Sequence, residues 1–190
     1  MKKENFINDN VNVQNRLLNE PVEAEAKYNN NSIRRQDRLL DESDAMELLR
    51  NGEFGILSMV ESVGEKVGGY GIPINYVWDS ENSIYFHCAL EGYKLSCLKE
   101  SPLASFCVVG HTNVIPHKFS TAYESIVIRG TVCIELSPEE RMEALMLILD
   151  KYSPYYKDAG VKYTKKSFHR TNVIRLDIKD ISGKTKRIES

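Results

Sequence analysis

Lys94 stands two residues after Gly92, where a strand-like segment passes into a short amphipathic segment. A helix that begins at a glycine turn leaves its first backbone N–H groups without internal acceptors, and such groups attract anions, phosphate above all. A lysine in the first turn is unfavourable for the helix dipole unless an anion compensates its charge. The spacing therefore predicts a phosphate-binding turn at the start of this helix.

His87 lies shortly before this turn and shares one side of the predicted strand with Tyr85. Further aromatic residues, Tyr76 and Tyr123 among them, occur in neighbouring predicted strands, so a flat, phosphorylated ligand would suit the region. The ordinary alternative is that Lys94 is a surface residue and His87 a partly buried histidine with satisfied ring nitrogens. The spacing alone leaves both interpretations open.

Other kinds of chemistry have no motif in the chain. No serine lies in a GxSxG motif, no carboxylate pair is marked for acid–base catalysis, and no GxGxxG motif follows a strand. His111 and His117 have no cysteine or paired carboxylates at ligand spacing, so we expect an ordinary loop there and no metal. The four cysteines form no CxxC pair and are typical of buried, reduced thiols.

The 190 residues are enough for one ordinary domain, and the formal net charge of −2 predicts no general attraction to nucleic acid or anionic membranes. No apolar run approaches a membrane span, and the first residues lack the apolar core of a signal peptide, so we expect a cytoplasmic protein. Residues 1–33 are rich in asparagine and charge, and we expect a flexible tail or an arm that wraps a partner subunit. The predicted domain is 34–190.

The spacing of apolar residues predicts about six strands, over residues 54–59, 70–78, 84–89, 103–109, 123–136 and 171–178, with a loop at 110–120. Short helices are predicted at the joints and ends. Because strands and helices do not alternate, we expect a mainly β protein with an antiparallel sheet closed into a small barrel and helices outside it. Pro73 cannot donate to a strand ladder, so it marks an edge along which a ligand could lie.

Several segments match the pattern of one known family. They are Arg35–Arg38, Gly55–Ser58, Gly71–Tyr76, Ile84–Ala89, Ser105–Val109, Tyr123–Ile128 and Gly183–Lys184. Across 34–187 the chain thus resembles the flavin-binding split-barrel family related to pyridoxamine 5'-phosphate oxidase, in particular its NimA-type nitroimidazole-resistance branch. The resemblance implies a six-stranded antiparallel split β-barrel that forms a homodimer, with FMN or FAD at the dimer interface.

The resemblance also implies which residues meet the flavin. Lys94 and the turn before it would meet the phosphate, Ile74–Val77 would lie along the isoalloxazine ring, and Tyr123–Val127 would approach from the same or the partner chain. His87 is the candidate catalytic residue, as a proton donor or as part of the pocket wall. The full set of implied cofactor contacts is Ile74, Asn75, Tyr76, Val77, His87, Cys88, Ala89, Gly92, Tyr93, Lys94, Tyr123, Ser125 and Val127.

The activity implied by the resemblance is flavin-dependent oxidoreduction, with nitro-aromatic or similar small electrophiles as substrates. A flavin carrier or redox sensor without turnover is the alternative, because no clear acid–base or nucleophilic set is present. A haem- or deazaflavin-binding barrel is a third reading. The chain has no counterpart to the C-terminal substrate-binding segment of pyridoxamine 5'-phosphate oxidase itself, so vitamin B6 oxidation is not expected.

Overall fold

The computed structural model describes residues 27–188, in which one mainly antiparallel sheet is surrounded by α-helices. The strands are β1 (Lys27–Tyr28), β2 (Phe54–Glu61), β3 (Gly68–Asn75), β4 (Val77–Trp78), β5 (Ser83–Cys88), β6 (Leu103–Ile115), β7 (Ser120–Cys133) and β8 (Asn172–Lys186). The α-helices are α1 (Glu42–Asn51), α2 (Tyr93–Glu100), α3 (Pro138–Tyr152) and α4 (Lys157–Ser167). Within these described residues, none of the helices has the length and apolarity needed to cross a bilayer.

The sheet is a barrel that remains split. Its strand order is β3-β2-β6-β7-β8-β5-β4, and all neighbours along this order are antiparallel. β3 and β4 lie at opposite ends of the order, yet only Tyr76 separates them in sequence. The sheet must therefore curl until its two ends lie side by side. Within residues 27–188 no backbone pairing joins β3 to β4, so the ring stays open.

The expected mainly β, antiparallel class is confirmed, but the expected count of six strands is wrong. Within residues 27–188 the sheet has eight strands. The predicted strand 70–78 breaks at Tyr76, whose N–H donates to the Tyr152 hydroxyl at 3.0 Å instead of to a neighbouring strand. β1 adds a short parallel pair to β8, which the sequence did not predict.

The predicted loop at 110–120 is the tip of a long β-hairpin. β6 continues to Ile115, a 3₁₀ turn follows over Pro116–Lys118, and β7 begins at Ser120. Phe119 closes the turn in the left-handed region with a φ of +46°. The prediction failed here because most residues beyond Val109 are exposed on both faces of β6, so no apolar alternation marks the strand.

At both ends of the described chain, residues that were not predicted to be strands pair with the sheet or contact it. β8 runs to Lys186 instead of ending near residue 178, and Ser182 and Gly183 are buried within it. The Gly183 N–H donates to Asn30 Oδ1 at 2.9 Å, and Tyr28 pairs with Ile181, so residues just before the predicted domain boundary are docked on β8. The rest of the predicted tail, 1–26, lies outside the described residues.

The main core fills the inside of the curled sheet. The Phe106 ring centroid lies 4.8 Å from that of Tyr76 and 5.0 Å from that of Phe86, both edge to face, a favourable aromatic geometry. A second, smaller cluster lies on the outer face, where Leu145 of α3 packs with Val173 of β8. α3 therefore covers the outer side of β5 and β8, next to the predicted phosphate turn.

Candidate functional site

The strand, the turn and the helix of the predicted phosphate site form between β5 and α2. Gly92 directly precedes α2 with a φ of +143°, a conformation that favours glycine. Its carbonyl accepts from the N–H groups of Leu95 at 2.9 Å and Ser96 at 3.2 Å. The N–H groups of Tyr93 and Lys94 have no backbone acceptor within residues 27–188. A Cβ built on Gly92 would meet no atom within 4 Å, so the helix start is open to an anion.

Tyr93 fixes the start of α2 against the β2–β3 hairpin. Its hydroxyl donates to Glu61 Oε1 at 2.6 Å, and this hydrogen bond raises the pKa of Tyr93 to about 12. The ring packs edge to face on Tyr70 with 5.1 Å between centroids, and Lys66 Nζ lies 5.1 Å from the same ring centroid. The Tyr93 hydroxyl already donates to Glu61, so the backbone N–H is the group through which Tyr93 can bind an anion at the turn.

His87, Cys88 and Lys94 meet at one corner of the barrel. Desolvation of the imidazole lowers the pKa of His87, and the nearby Lys94 ammonium lowers it further, so the neutral ring predominates at neutral pH. Burial raises the pKa of the Cys88 thiol, while the positive charges of Lys94 and Arg141 oppose this rise. The corner therefore feels the charge of two cations, which suits an anionic group. Sequence analysis missed Arg141, since only the packing of α3 brings it here.

A polar network covers the outer face of β5 beside His87. The Tyr85 hydroxyl donates to Glu140 Oε1 at 3.2 Å, and burial together with Glu140 raises the pKa of Tyr85 to about 12. Arg175 donates from Nη1 to Glu140 Oε1 at 2.5 Å and from Nε to Asp177 Oδ1 at 2.6 Å. This network ties α3 to β5 and β8. His87 follows Tyr85 on the same face, as predicted; its side chain is accessible to solvent at its surface, while surrounding protein atoms desolvate part of the ring.

The predicted wall for the isoalloxazine ring, residues 74–77, has side chains on both faces of the sheet. Ile74 packs against the main core, whereas Asn75 is exposed. Tyr76 is fully buried, and its hydroxyl donates to the Leu49 carbonyl at 2.6 Å. Val77 is buried as well. The Tyr76 ring therefore has no surface for a ligand, and Asn75 is the most exposed of these four residues.

Two residues of α3 that sequence analysis did not single out hold this wall in place. The Tyr152 hydroxyl accepts from the Tyr76 N–H at 3.0 Å and lies 2.7 Å from the Tyr76 carbonyl oxygen and 2.6 Å from that of Glu53. Because the Tyr152 hydroxyl has one hydrogen, it can donate to only one of these two carbonyl oxygens at a time. Lys151 Nζ lies 3.8 Å from the Tyr76 ring centroid without a hydrogen-bond partner in the described part of the chain, and burial lowers its pKa to about 8. No local sequence signal marks contacts between residues this far apart.

The residues expected to complete the site from β7 lie on its outer face, away from the turn. We call Tyr123, Ser125 and Val127 the β7 trio. Val127 pairs with Ser182 of β8, whereas His87 pairs with Val173 near the start of the same strand. The stretch of β8 from 173 to 182 spans about 30 Å. The β7 trio and His87 therefore lie along different stretches of β8.

An exposed apolar surface lies between β3 and the β7 trio. Ile56 pairs with Pro73 and with Cys107, and Cys107 pairs with Val127, so these side chains form one row across the outside of the sheet. Phe54 is 57% exposed, Ile56 36% and Val109 56%. We call Phe54, Ile56, Cys107 and Val109 the outer apolar face. Contiguous exposed apolar surface is a common feature of interaction sites.

The curled antiparallel sheet, with its ends side by side and its open helix start at one corner, defines a split-barrel protein. Residues 41–185 match the family model described as pyridoxamine 5'-phosphate oxidase, and the chain belongs to this family. No curated protein sequence is significantly similar to it.

Solved structures share the fold at low sequence identity. A proposed 5-nitroimidazole antibiotic resistance protein from Bacteroides thetaiotaomicron is 18% identical with a TM-score of 0.61, and the match covers 78% of this chain and 86% of that one. The FAD and haem binding protein from Mycobacterium smegmatis is 18% identical with a TM-score of 0.66, covering 80% and 74%. An FAD-binding protein from Mesorhizobium loti is 17% identical with a TM-score of 0.53, covering 79% and 98%. At these identities the likeness shows the fold alone.

Proposed function

We propose that this chain is a flavin-dependent oxidoreductase that holds FMN or FAD in a homodimer and reduces nitro-aromatic or similar small electrophiles. The observation that carries the proposal is the open start of α2, where unpaired N–H groups and Lys94 face one corner of the split barrel. Backbone N–H groups at a helix start and a lysine ammonium are good phosphate ligands. FMN and FAD both present phosphate to such a site.

The family and the names of the similar structures support a flavin. The chain belongs to the pyridoxamine 5'-phosphate oxidase family, two similar structures are named for FAD binding, and one is named for nitroimidazole resistance. A bound flavin would supply the transfer of electrons to the substrate. Lys94 and the start of α2 would neutralise its phosphate, and the exposed edge of β3 would orient its ring. His87, neutral at this corner, would offer a hydrogen bond at the rim of the site.

The homodimer belongs to the proposal because the β7 trio and the strand that leads to the turn pair with different stretches of β8. The β7 trio is separated from the turn by about 30 Å of strand. A second copy seated on the outer apolar face would bring its own β7 trio toward the β3 edge of the first chain. It would also remove Phe54, Ile56 and Val109 from water, which favours association.

The substitution Ile56→Lys is expected to dissociate the dimer and to weaken flavin binding with it, because a charge would be placed in the centre of the outer apolar face. Light scattering coupled to size-exclusion chromatography measures the mass, and titration with FMN measures the affinity. Val67→Lys is the matched control, since Val67 is 89% exposed and lies outside this face. A wild-type monomer that binds flavin tightly would contradict the dimer.

The purified full-length protein is expected to be yellow and to release FMN or FAD on denaturation, which chromatography and mass spectrometry would identify. Under anaerobic conditions a reduced nicotinamide should bleach the bound flavin, and a nitro-aromatic acceptor should restore its colour. A colourless protein that takes up neither FMN nor FAD would refute the proposal. Flavin that no acceptor reoxidises would indicate a carrier, and a Soret band would indicate haem.

A further inference from the structure

Positive charge is concentrated in one segment of an otherwise acidic chain. Residues 151–170 contain six of the 25 Lys and Arg residues of the chain but only one of its 27 Asp and Glu residues. The whole chain has a net charge of −2, so the remainder is clearly negative. A local basic surface on an acidic protein favours an acidic partner at that surface alone.

Four of these six cations, Lys162, Lys165, Lys166 and Arg170, are exposed and lie near exposed tyrosine rings, whereas Lys151 is packed against the Tyr76 ring. We call the surface formed by Tyr155, Tyr156, Lys162, Tyr163, Lys165 and Lys166 the basic tyrosine patch. Its tyrosines are 94%, 74% and 66% exposed in chain order. Its lysines form no ion pair within residues 27–188, in contrast to Lys157, whose Nζ lies 2.5 Å from Asp150 Oδ1.

The arrangement on α4 places like charges side by side. Lys162 and Lys166 are four residues apart on the outward side of the helix, and Tyr163 is three residues before Lys166. Like charges at this spacing destabilise a helix. An anionic partner would remove this repulsion and gain hydrogen bonds and ring contacts from the tyrosines, which are favoured residues at protein interfaces.

The opposite side of α4 is packed, so the patch is presented by a fixed helix. Thr164 and Ser167 are each 6% exposed, and the Ser167 hydroxyl donates to the Tyr163 carbonyl at 2.9 Å. A Cβ built on Gly160 would lie 2.7 Å from Leu149 Cδ2, which shows how closely α4 approaches α3. Lys162, Tyr163, Lys165 and Lys166 are therefore carried by a helix whose other side is packed, while Tyr155 and Tyr156 precede it in a 3₁₀ turn.

The basic tyrosine patch borders the candidate flavin site. α4 leads through Phe168–Arg170 into β8, whose first residues Asn172 and Val173 pair with Cys88 and His87. Arg141 Nη2 donates to the Phe168 carbonyl at 3.1 Å, so the joint is tied to the helix that covers this corner. A partner bound on the patch would lie beside the flavin corner.

We propose that the basic tyrosine patch docks an acidic electron-donor protein of the one-electron type, which reduces the flavin. This inference rests on the proposed function. Each donor molecule loses one electron per encounter, so two donor molecules are oxidised and two protons come from water for each two-electron reduction of the flavin. We favour a redox protein over nucleic acid or a membrane because only a redox partner gains from lying beside the flavin corner.

The test uses the full-length protein and a reduced acidic [2Fe–2S] ferredoxin as the probe. The charge-reversal variant Lys162→Glu/Lys166→Glu is expected to bind the ferredoxin roughly tenfold more weakly and to accept its electrons more slowly. Reduction by dithionite should be unchanged. The control variant Lys99→Glu/Lys179→Glu carries the same change of charge on exposed residues outside the patch and should behave like wild type. Lys162→Arg/Lys166→Arg should retain binding, and wild-type affinity should fall as salt is added.

Ferredoxin affinity that is the same in the charge-reversal variant and the control would overturn the proposal. So would tighter binding of a single-stranded oligonucleotide or of anionic phospholipid vesicles than of ferredoxin, or a patch buried in the homodimer. The affinity for ferredoxin is measured independently of flavin binding. A protein that binds ferredoxin through the patch but takes up no flavin would therefore refute the proposed function and leave the docking surface standing.

Discussion

Replacing Lys94 with alanine is expected to weaken FMN binding roughly 10- to 100-fold, because a charge-assisted hydrogen bond to phosphate contributes about 1.5–3 kcal/mol. Lys94 lies in the first turn of α2, next to backbone N–H groups that have no backbone acceptor in residues 27–188. Titration of the flavin-free protein, followed by quenching of flavin fluorescence, gives the affinity. Riboflavin lacks the phosphate, so it should bind the variant and the wild type equally.

The control for this result lies on the same helix. Lys99 is exposed in the last turn of α2, and Lys99→Ala should leave FMN affinity unchanged. Lys94→Arg should retain most of the affinity because it keeps the charge. An equal loss of FMN and riboflavin binding would mean that Lys94 supports the turn and does not contact a phosphate. Unchanged FMN binding in Lys94→Ala would place the phosphate elsewhere.

Replacing Gly130 with alanine is expected to lower the free energy of unfolding by roughly 2–4 kcal/mol. Gly130 lies where the register between β7 and β8 shifts after Arg129. A Cβ at this position would lie 2.0 Å from the carbonyl oxygen of Asp177 and 3.0 Å from its carbonyl carbon. These are backbone atoms of the central strand β8, so the clash cannot be relieved by rotating a side chain.

Thermal unfolding of the flavin-free proteins measures this effect, since a bound ligand would itself change the melting temperature. The expected decrease is roughly 4–16 °C for a chain of this length. Gly69→Ala is the matched control, because a Cβ at Gly69 on the edge strand β3 would meet nothing within 4 Å. It should melt at or slightly above the wild-type temperature. Equal melting temperatures for the two variants would contradict the close approach of β7 and β8 at Gly130.

Local periodicity was a reliable guide to individual elements. The alternation in β5 correctly placed His87 on the same side as Tyr85, since neighbouring side chains of a strand point to opposite faces. The start of α3 has a local signal too, because Ser137 caps the helix and Pro138 occupies its first position. Gly92 was correctly identified as the residue between β5 and α2.

Predictions failed where neighbours distant in sequence decide the structure. The sequence pattern through Tyr76 predicts one continuous strand. In the structure the Tyr76 N–H donates to the Tyr152 hydroxyl instead of to a neighbouring strand, so the strand is interrupted there. The second half of β6, beyond Val109, shows no alternation of apolar and polar residues. It is a strand because it pairs with β7. Arg141 and Lys151 belong to a helix whose packing, and not its sequence, brings them to the candidate site.

The sequence by itself determined the family, the antiparallel β class and the local geometry of the strand–glycine–helix segment that carries His87, Gly92 and Lys94. These properties depend on residue types and on spacings within a few consecutive residues. Only the tertiary structure decided which faces of distant segments share a surface. It buried the Tyr76 ring, set the β7 trio and His87 along different stretches of β8 and left the outer apolar face exposed. The physical reason is that strand order and register come from long-range pairing, and shifting either would change every contact between segments while leaving each local pattern the same.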